Sequence, residues 1–401
     1  CILPPGYLTS GRQNRYLRQL RRTAPFAYVK TLTRTAGGRP VVAIQLGCGS
    51  HKVLLSGTHH ANESITGTLL WELLLAYCRA ICEDGCFGGK PARALYRNSM
   101  LYCVPLVNPD GADLVAGEIP TASPEYQSAA QLAASYPQLP FPSGWKANLR
   151  GVDLNLNYPA NWDKAKQIKA SLGFDRPAPR DYPGEKPLDQ RETAALAAYT
   201  ACVRPGLLLA YHTQGRVIYP GGAALDPPGS AAIAAKLSAA SGYEVQNVPP
   251  ESSNAGYKDW FLARFHRPGF TIEAGLGENP LELSQLPQLL LENGSETYRV
   301  EETARRMAKG FGIGEINIAA FPTSVFLEAG GRAFGRRISR RGTNSRRIAM
   351  VNEISREAEQ GRLSPEAAGC ALEKVRKTPG FSQRTMILAY ALAAASFCLL
   401  F

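Results

Sequence analysis

Four short apolar runs most constrain what this chain can fold into: HKVLLSG (51–57), MLYCVPLV (100–107), GLLLAYH (206–212) and PGFTIEAG (268–275). Each is too short for an independent helix and too continuously apolar for a strand with one wet face, so each reads as a strand buried on both faces. Segments of helical period separate them. ESITGTLLWELLLAYCRAI sets Leu69, Leu70, Leu73, Leu74 and Tyr77 on one face, and AAIAAKLSAASG and DWFLARFH follow later. FAYVKTLTRT and RPVVAIQLG alternate around a Gly-Gly turn as half-buried strands. Buried strands alternating with helices predict an α/β fold, a mixed, mostly parallel doubly wound sheet with helices on both faces. Residues 112–147 carry no strong pattern and are expected to form a long surface excursion.

Net charge points to a nucleic-acid partner only until it is located. The formal total is +12, but residues 1–40 hold eight Lys/Arg and no acid, and residues 316–401 hold thirteen against six. The body between them is slightly acidic, so no nucleic-acid partner is expected. The chain reads as a basic lead-in (1–23), a globular body (24–315), a basic linker (316–345) and a helical segment (346–401). In the last, IAMVNEISREAEQG is an amphipathic helix closed by Gly361, Ser364 and Pro365 open a second helix, and residues 385–401 are an uncharged run of membrane-helix character. Membrane contact through that run, or a cytoplasmic location, is the expectation. The nine cysteines are odd in number and scattered through apolar runs, which reads as free thiols; Cys78, Cys82 and Cys86 form a buried helical stripe. The chain begins with Cys, consistent with a fragment or a processed start.

Five histidines are few enough to weigh singly. His51 and His266 read as surface residues. His60-x-x-Glu63 opens a helix after a buried strand, and His212 ends another apolar strand, where a lone polar group is costly unless paired or ligating. Two His and one Glu with an open fourth position is the catalytic zinc pattern, although the short spacing alone is equally compatible with a simple turn. Glu273 is a carboxylate inside an apolar strand and needs either an ion pair or work as a general base. The overlap of Asn62-Glu63-Ser64 with a glycosylation sequon is read as chance, because a glycan there would block the site.

GTHHANE, YCVPLVNPDGADLV, WKANLRGVDLNLNYPANW, PRDYPG, YHTQG, GYKDWF and RPGFTIEAG occur in this order over roughly residues 24–300. Together they resemble the zinc carboxypeptidase (M14) family, and within it the bacterial γ-D-glutamyl-diaminopimelate endopeptidases that cut peptidoglycan stem peptides. The resemblance implies one zinc ion held by His60, Glu63 and His212, Glu273 as base, and Asp153 as the carboxylate orienting His60. It also implies that Asn155 and Arg150 hold substrate, Arg150 polarising the scissile carbonyl, with Lys146 as its rival. Two departures bear on specificity. The family's carboxypeptidases read D-x-N-R-N, whose Arg clamps a free C-terminus, whereas this chain has Leu156 in Asp153-Leu-Asn-Leu-Asn. Lys258 stands where the family lines its specificity pocket and would suit an acidic side group. Tyr257 is near the position of the family's substrate-covering tyrosine but out of register, and is left unassigned. The C-terminal 60 or so residues resemble the start of a threonine/serine exporter domain. The expected activity is zinc-dependent hydrolysis of peptide or muropeptide substrates. A zinc carboxypeptidase acting on ordinary peptides, a zinc deacylase of the aspartoacylase type and a pseudo-enzyme are the alternatives. Oligomeric state is open.

Overall fold

The computed structural model describes residues 6–221, 225–249, 252–293, 307–313, 316–321, 324–329, 332–337 and 345–377. It divides into two units, 1–295 and 296–401.

The first unit is built on an eight-stranded mixed sheet. Its strands are β1 (Tyr28–Arg34), β2 (Pro40–Gly47), β3 (His51–Ser56), β6 (Ser99–Val104), β7 (Leu207–His212), β8 (Val217–Tyr219), β9 (Glu244–Val245) and β10 (Gly269–Glu273). A small separate hairpin supplies β4 (Cys86–Phe87) and β5 (Lys90–Pro91). The sheet order is β1-β2-β6-β3-β7-β10-β8-β9. The central four, β6, β3, β7 and β10, run parallel, while β1, β2 and β8 pair antiparallel. Along β7, Leu208 and Ala210 pack with Leu196, Tyr199 and Phe261 of helices α7 (Arg191–Val203) and α9 (Tyr257–Phe265). Leu209 and Tyr211 alternate to the opposite face and are also buried, so the strand is covered on both sides. The expected fold class is the one observed.

On leaving β3 the chain crosses to β6 through α2 (Ile65–Cys82) and α3 (Ala92–Asn98); on leaving β7 it moves the other way, to β8 and β9, before returning to β10 beside β7. The β3–β7 boundary is therefore the place where strand order reverses and where open α/β sheets form a crevice at strand C-termini. Helix α2 is buried on nearly all sides, well beyond the one face expected, and Gly67 explains how it sits so close. A Cβ there would lie 2.4 Å from Leu8 Cδ2 and 2.5 Å from the Pro105 carbonyl oxygen. Among the described residues one stretch, Ala61–Cys82, is long and apolar enough to cross a membrane, and it is this core helix.

Four expectations need correction. Residues 10–23 are no lead-in but helix α1 (Ser10–Thr23), capped by Thr9 and burying Gln13, Tyr16, Leu17 and Leu20. Tyr16 stacks on Trp71 of α2 at 5.2 Å; the helical spacing is present in the sequence but masked by five arginines, four of them exposed. The supposed excursion holds α4 (Pro109–Val115) and α5 (Pro124–Ala133) and folds around Trp145, which is fully buried with Leu114, Ile119, Ala129 and Ala133. The cysteine stripe ends early: Cys78 is buried, but α2 stops at Cys82, which is exposed, as is Cys86 on β4. The part of the supposed basic linker at 316–337 forms three antiparallel strands, Ile316–Phe321, Ser324–Ala329 and Arg332–Arg337.

In the second unit the helices Ser345–Glu359 and Pro365–Lys377 close a small core of Ile354, Ala368 and Val375. Ser364 Oγ accepts the Ala367 N–H at 3.2 Å, and Gly361 takes φ +68° after the first helix, as their sequence positions imply. The membrane-helix expectation for residues 385–401 lies outside the described residues. Helices α6 (Trp162–Ser171), α8 (Ser230–Ser241) and α10 (Leu286–Glu292) complete the first unit.

One buried carboxyl couples this fold to pH. Glu192, in the first turn of α7, is 2% exposed, and burial, with Asp110 adding to it, pushes its carboxyl up to about 7. A carboxyl raised in the folded state gives stability that is complete below its ordinary value near 4.5 and lost as pH rises through 7. Glu192→Gln keeps the acceptor that faces Asn148 and removes the titration. Urea denaturation should show little change at pH 4.5 and a gain of roughly 1–3 kcal/mol at pH 8. Equal stability of the two proteins at pH 8 would show that Glu192 ionises freely.

Candidate active site

The site is assembled at the β3–β7 crevice from loops that the core pins in place. After Ser56 the chain turns through Gly57 and Thr58, the latter at φ +55°. The Val107 and Asn108 N–H groups donate to the Gly57 and Thr58 carbonyls at 3.2 and 2.9 Å, which ties the loop after β3 to the loop after β6. Asn108, fully buried, caps α4 through Gly111 and donates from Nδ2 to the His59 and Ala147 carbonyls. One side chain of the NPDG motif thus fixes two walls of the site.

His60 leads into a single 3₁₀ turn, Ala61–Glu63. Residues three apart eclipse on such a turn, so the imidazole of His60 and the carboxylate of Glu63 meet, Nδ1 to Oε1 at 2.9 Å. His212, the last residue of β7, brings Nδ1 to 3.0 Å from Glu63 Oε2 and 3.3 Å from His60 Nδ1. Behind them Asp153 Oδ1 lies 3.1 Å from His60 Nε2 and also accepts the Asn155 N–H. His59, which precedes His60 in the chain, is wholly buried; its ring stacks on His212 at 5.6 Å and its Nε2 meets the Tyr158 hydroxyl. Parallel pairing of β10 with β7 sets Glu273 directly beside His212 at the same strand end. His60, Glu63, His212, Asp153 and Glu273 all line one cleft of about 560 Å³.

The cleft is strongly charged. Desolvation alone would raise the Glu63 carboxyl, but His60 and Lys146 hold it well below the usual range. Desolvation likewise opposes a charged His60, yet Glu63 and Asp153 carry its imidazole up to about 9. Burial pushes the Glu273 carboxyl up to about 8, and the negative Glu63 adds to the shift.

Lys146, Asn155 and Lys258 also line this cleft. Lys146 Nζ donates to Glu63 Oε1 at 3.1 Å. Asn155 Oδ1 accepts the Tyr257 N–H that opens α9, leaving its amide N–H₂ toward the cavity. Lys258 is nearly buried and divides its donors between the Pro220 carbonyl (2.8 Å) and Asp259 (3.2 Å). Arg150 is the exception. It is exposed, stands outside the cleft lining, and has only its backbone N–H tied inward, to Asn148. Arg150 sits inside the turn closed by the Gly151 N–H on the Asn148 carbonyl at 3.0 Å, while Lys146, ahead of that turn, lines the cleft. Tyr257 is core: fully buried, its hydroxyl is paired with Thr200. Asn62 and Glu63 are both buried, so the sequon is inaccessible.

Residues 13–293 match the zinc carboxypeptidase (peptidase M14) family. The chain belongs to that family. It is 37% identical over 294 residues to gamma-D-glutamyl-L-diamino acid endopeptidase 1 of Lysinibacillus sphaericus, spanning 71% of this chain and 72% of that protein. Among solved structures, carboxypeptidase A from Helicoverpa armigera superposes with a TM-score of 0.54 at 17% identity, covering 71% of this chain and 70% of that one. Bovine thrombin-activatable fibrinolysis inhibitor does so with a TM-score of 0.53 at 15% identity, covering 72% and 94%. These two likenesses concern the fold. Residues 283–401 match a threonine/serine exporter family, overlapping the peptidase match at its end.

The peptidase's own donor set fits the zinc that its family uses. The ligand atoms of His60, Glu63 and His212 lie within 4.8 Å of one another. The three closest approaches, 2.9, 3.0 and 3.3 Å, are near the ~3.3 Å between ligands held ~2.0–2.1 Å from a tetrahedral centre. With His60 Nε2 committed to Asp153, its Nδ1 is the nitrogen left for a metal, the usual arrangement for a ligating imidazole. Four features of the peptidase cleft were not assigned from sequence: Arg180, Asp181, Lys169 and Asn279. The first two lie in PRDYPG, a motif noted for its place in the order, yet nothing local distinguishes an arginine that lines a cleft from one in solvent.

Proposed function

We propose that this zinc peptidase hydrolyses peptidoglycan stem peptides at the bond between the γ-carboxyl of D-glutamate and diaminopimelate. The observation that carries the reading is Leu156. It lines the cleft, almost buried, at the position where the family's carboxypeptidases place the arginine that grips a free C-terminus. An apolar side chain there offers nothing to a terminal carboxylate, so the last bond of a chain holds no advantage. The likeness to the Lysinibacillus endopeptidase supports the same reading.

His60, Glu63 and His212 would hold zinc, which supplies a Lewis acid and lowers the pKa of bound water to about 7. Asp153 keeps His60 in one tautomer and orientation. Glu273, raised by burial, accepts the proton of the attacking water and returns it to the leaving amine. Lys146, in place of the outward-facing Arg150, sets its ammonium toward the scissile carbonyl and stabilises the developing oxyanion. Asn155 offers its free amide N–H to the substrate, and Lys258 meets a carboxylate on the diaminopimelate side with the donor that Pro220 and Asp259 leave over. The exporter match and the uncharged run at 385–401 support membrane attachment of the C-terminal unit.

Mass spectrometry of defined muropeptides after incubation with the zinc-loaded protein tests the bond. Cleavage should yield a diaminopimelyl amine and a D-glutamyl acid. Blocking the substrate's C-terminus as an amide should change kcat/KM little, whereas Lys258→Ala should lower it by ~1.5–3 kcal/mol on acidic substrates. A strict demand for a free terminal carboxylate, with indifference to Lys258, would return the protein to ordinary carboxypeptidase action.

A further inference from the structure

We propose that Arg180 is a specificity-determining anion subsite on the acyl side of the cleft, taking the α-carboxylate of the D-glutamyl residue whose γ-carbonyl is attacked. The inference rests on the γ-D-glutamyl reading above. Arg180 belongs to a turn that is tied to the catalytic segments on both sides. The Pro179 carbonyl accepts the N–H groups of Lys146 and Ala147 at 2.8 and 2.9 Å. The Asp181 N–H donates to Asp153 Oδ2 at 3.2 Å, and the Asp153 N–H donates to the Tyr182 carbonyl at 2.8 Å. The guanidinium is therefore held beside Lys146, the group placed at the scissile carbonyl.

Its terminal donors are unspent. Asp181, held at φ +64°, binds Arg180 through Nε at 2.5 Å and Lys169 Nζ at 2.6 Å. Among the described residues nothing accepts from the two Nη groups of Arg180, while the side chain lines the cleft and is 37% exposed. Every other cation lining the cleft is engaged: Lys146 with Glu63, Lys169 with Asp181, Lys258 with Pro220 and Asp259. An arginine anchored by Nε with its terminal fork open toward a cavity has the geometry for bidentate capture of a carboxylate.

The substrate chemistry matches. A γ-linked D-glutamyl residue carries a free α-carboxylate separated from the scissile carbonyl by three carbons, on the acyl side. An ordinary α-peptide has no main-chain carboxylate there. Capture of that group would separate γ- from α-linked substrates, and D-glutamyl from D-isoglutaminyl ones, in which the carboxylate is an amide.

The experiment compares kcat/KM of the zinc-loaded full chain on two matched muropeptides, one with the free α-carboxylate and one with the α-carboxamide. The carboxylate substrate should be favoured roughly 10–100-fold, the loss expected for one charge-assisted hydrogen-bonded contact. Arg180→Gln should abolish the preference by slowing the carboxylate substrate alone. Calorimetric binding of the dipeptides L-alanyl-D-glutamate and L-alanyl-D-isoglutamine gives a second readout that needs no turnover, with the same preference and the same loss in the variant. Cleavage of both muropeptides at equal rates by the unaltered enzyme, or an equal slowing of both by Arg180→Gln, overturns the subsite and leaves γ-D-glutamyl hydrolysis standing. Failure to cleave either one, with Arg180-dependent preference for the acidic dipeptide intact, overturns the hydrolysis and leaves the subsite standing.

Discussion

Glu273→Gln is expected to keep the fold and the zinc content of the protein and to lose kcat by at least ~10². The substitution preserves volume at the end of β10, so the pairing that sets residue 273 beside His212 has no reason to move. What disappears is the group that can take a proton. The carboxyl lies in the same cleft as the three candidate ligands, with burial and Glu63 carrying it up to about 8, a range suited to accepting and returning a proton near neutral pH. A glutamine can do neither. Metal analysis and circular dichroism alongside steady-state kinetics separate the chemical loss from a structural one. Near-normal turnover in a folded, zinc-replete variant would remove Glu273 from the mechanism.

His212→Ala is expected to lose the metal itself. The imidazole is buried, supplies one of three converging donors, and is backed by His59 against one face. Removing it leaves two ligands, and zinc affinity should fall by more than the 10–100-fold that loss of a supporting hydrogen bond costs. Asp153→Asn, which removes the charge behind His60 and leaves all three candidate ligands in place, should fall inside that smaller range. Competition with a chromophoric chelator measures both. One equivalent of zinc retained at unchanged affinity in His212→Ala would show that the ligand set is wrong.

Much of this was legible in the residues. Buried strands carry their own signature, because a strand covered on both faces must be apolar throughout; β3, β6, β7 and β10 were therefore visible, and with them the sheet. The residues that break each run, His60, His212 and Glu273, stood out because a polar group at the end of an apolar strand needs a physical reason to be there. The helix at 10–23 was hidden for the opposite reason, since dense arginine on its exposed positions masks a 3.6-residue period. Residues 112–147 were missed because their apolar residues are spread over short helices joined by Pro, Ser and Gly, and they come together only around Trp145.

The sequence by itself determined the central buried strands and the fold class, which follow from local period, and its resemblance to the zinc carboxypeptidases named His60, Glu63 and His212 as the candidate donors. Tertiary structure alone decided which cations line the cleft. Lys146 and Arg150 stand four residues apart on one loop, yet Lys146 lines the cleft and Arg150, inside the turn from Asn148 to Gly151, does not. Arg180 becomes part of the cleft only because Pro179 pairs with Lys146 and Asp181 with Asp153, contacts that span about 30 residues of chain. Direction at a loop is set by backbone hydrogen bonds to distant segments, and no local pattern of side chains records them.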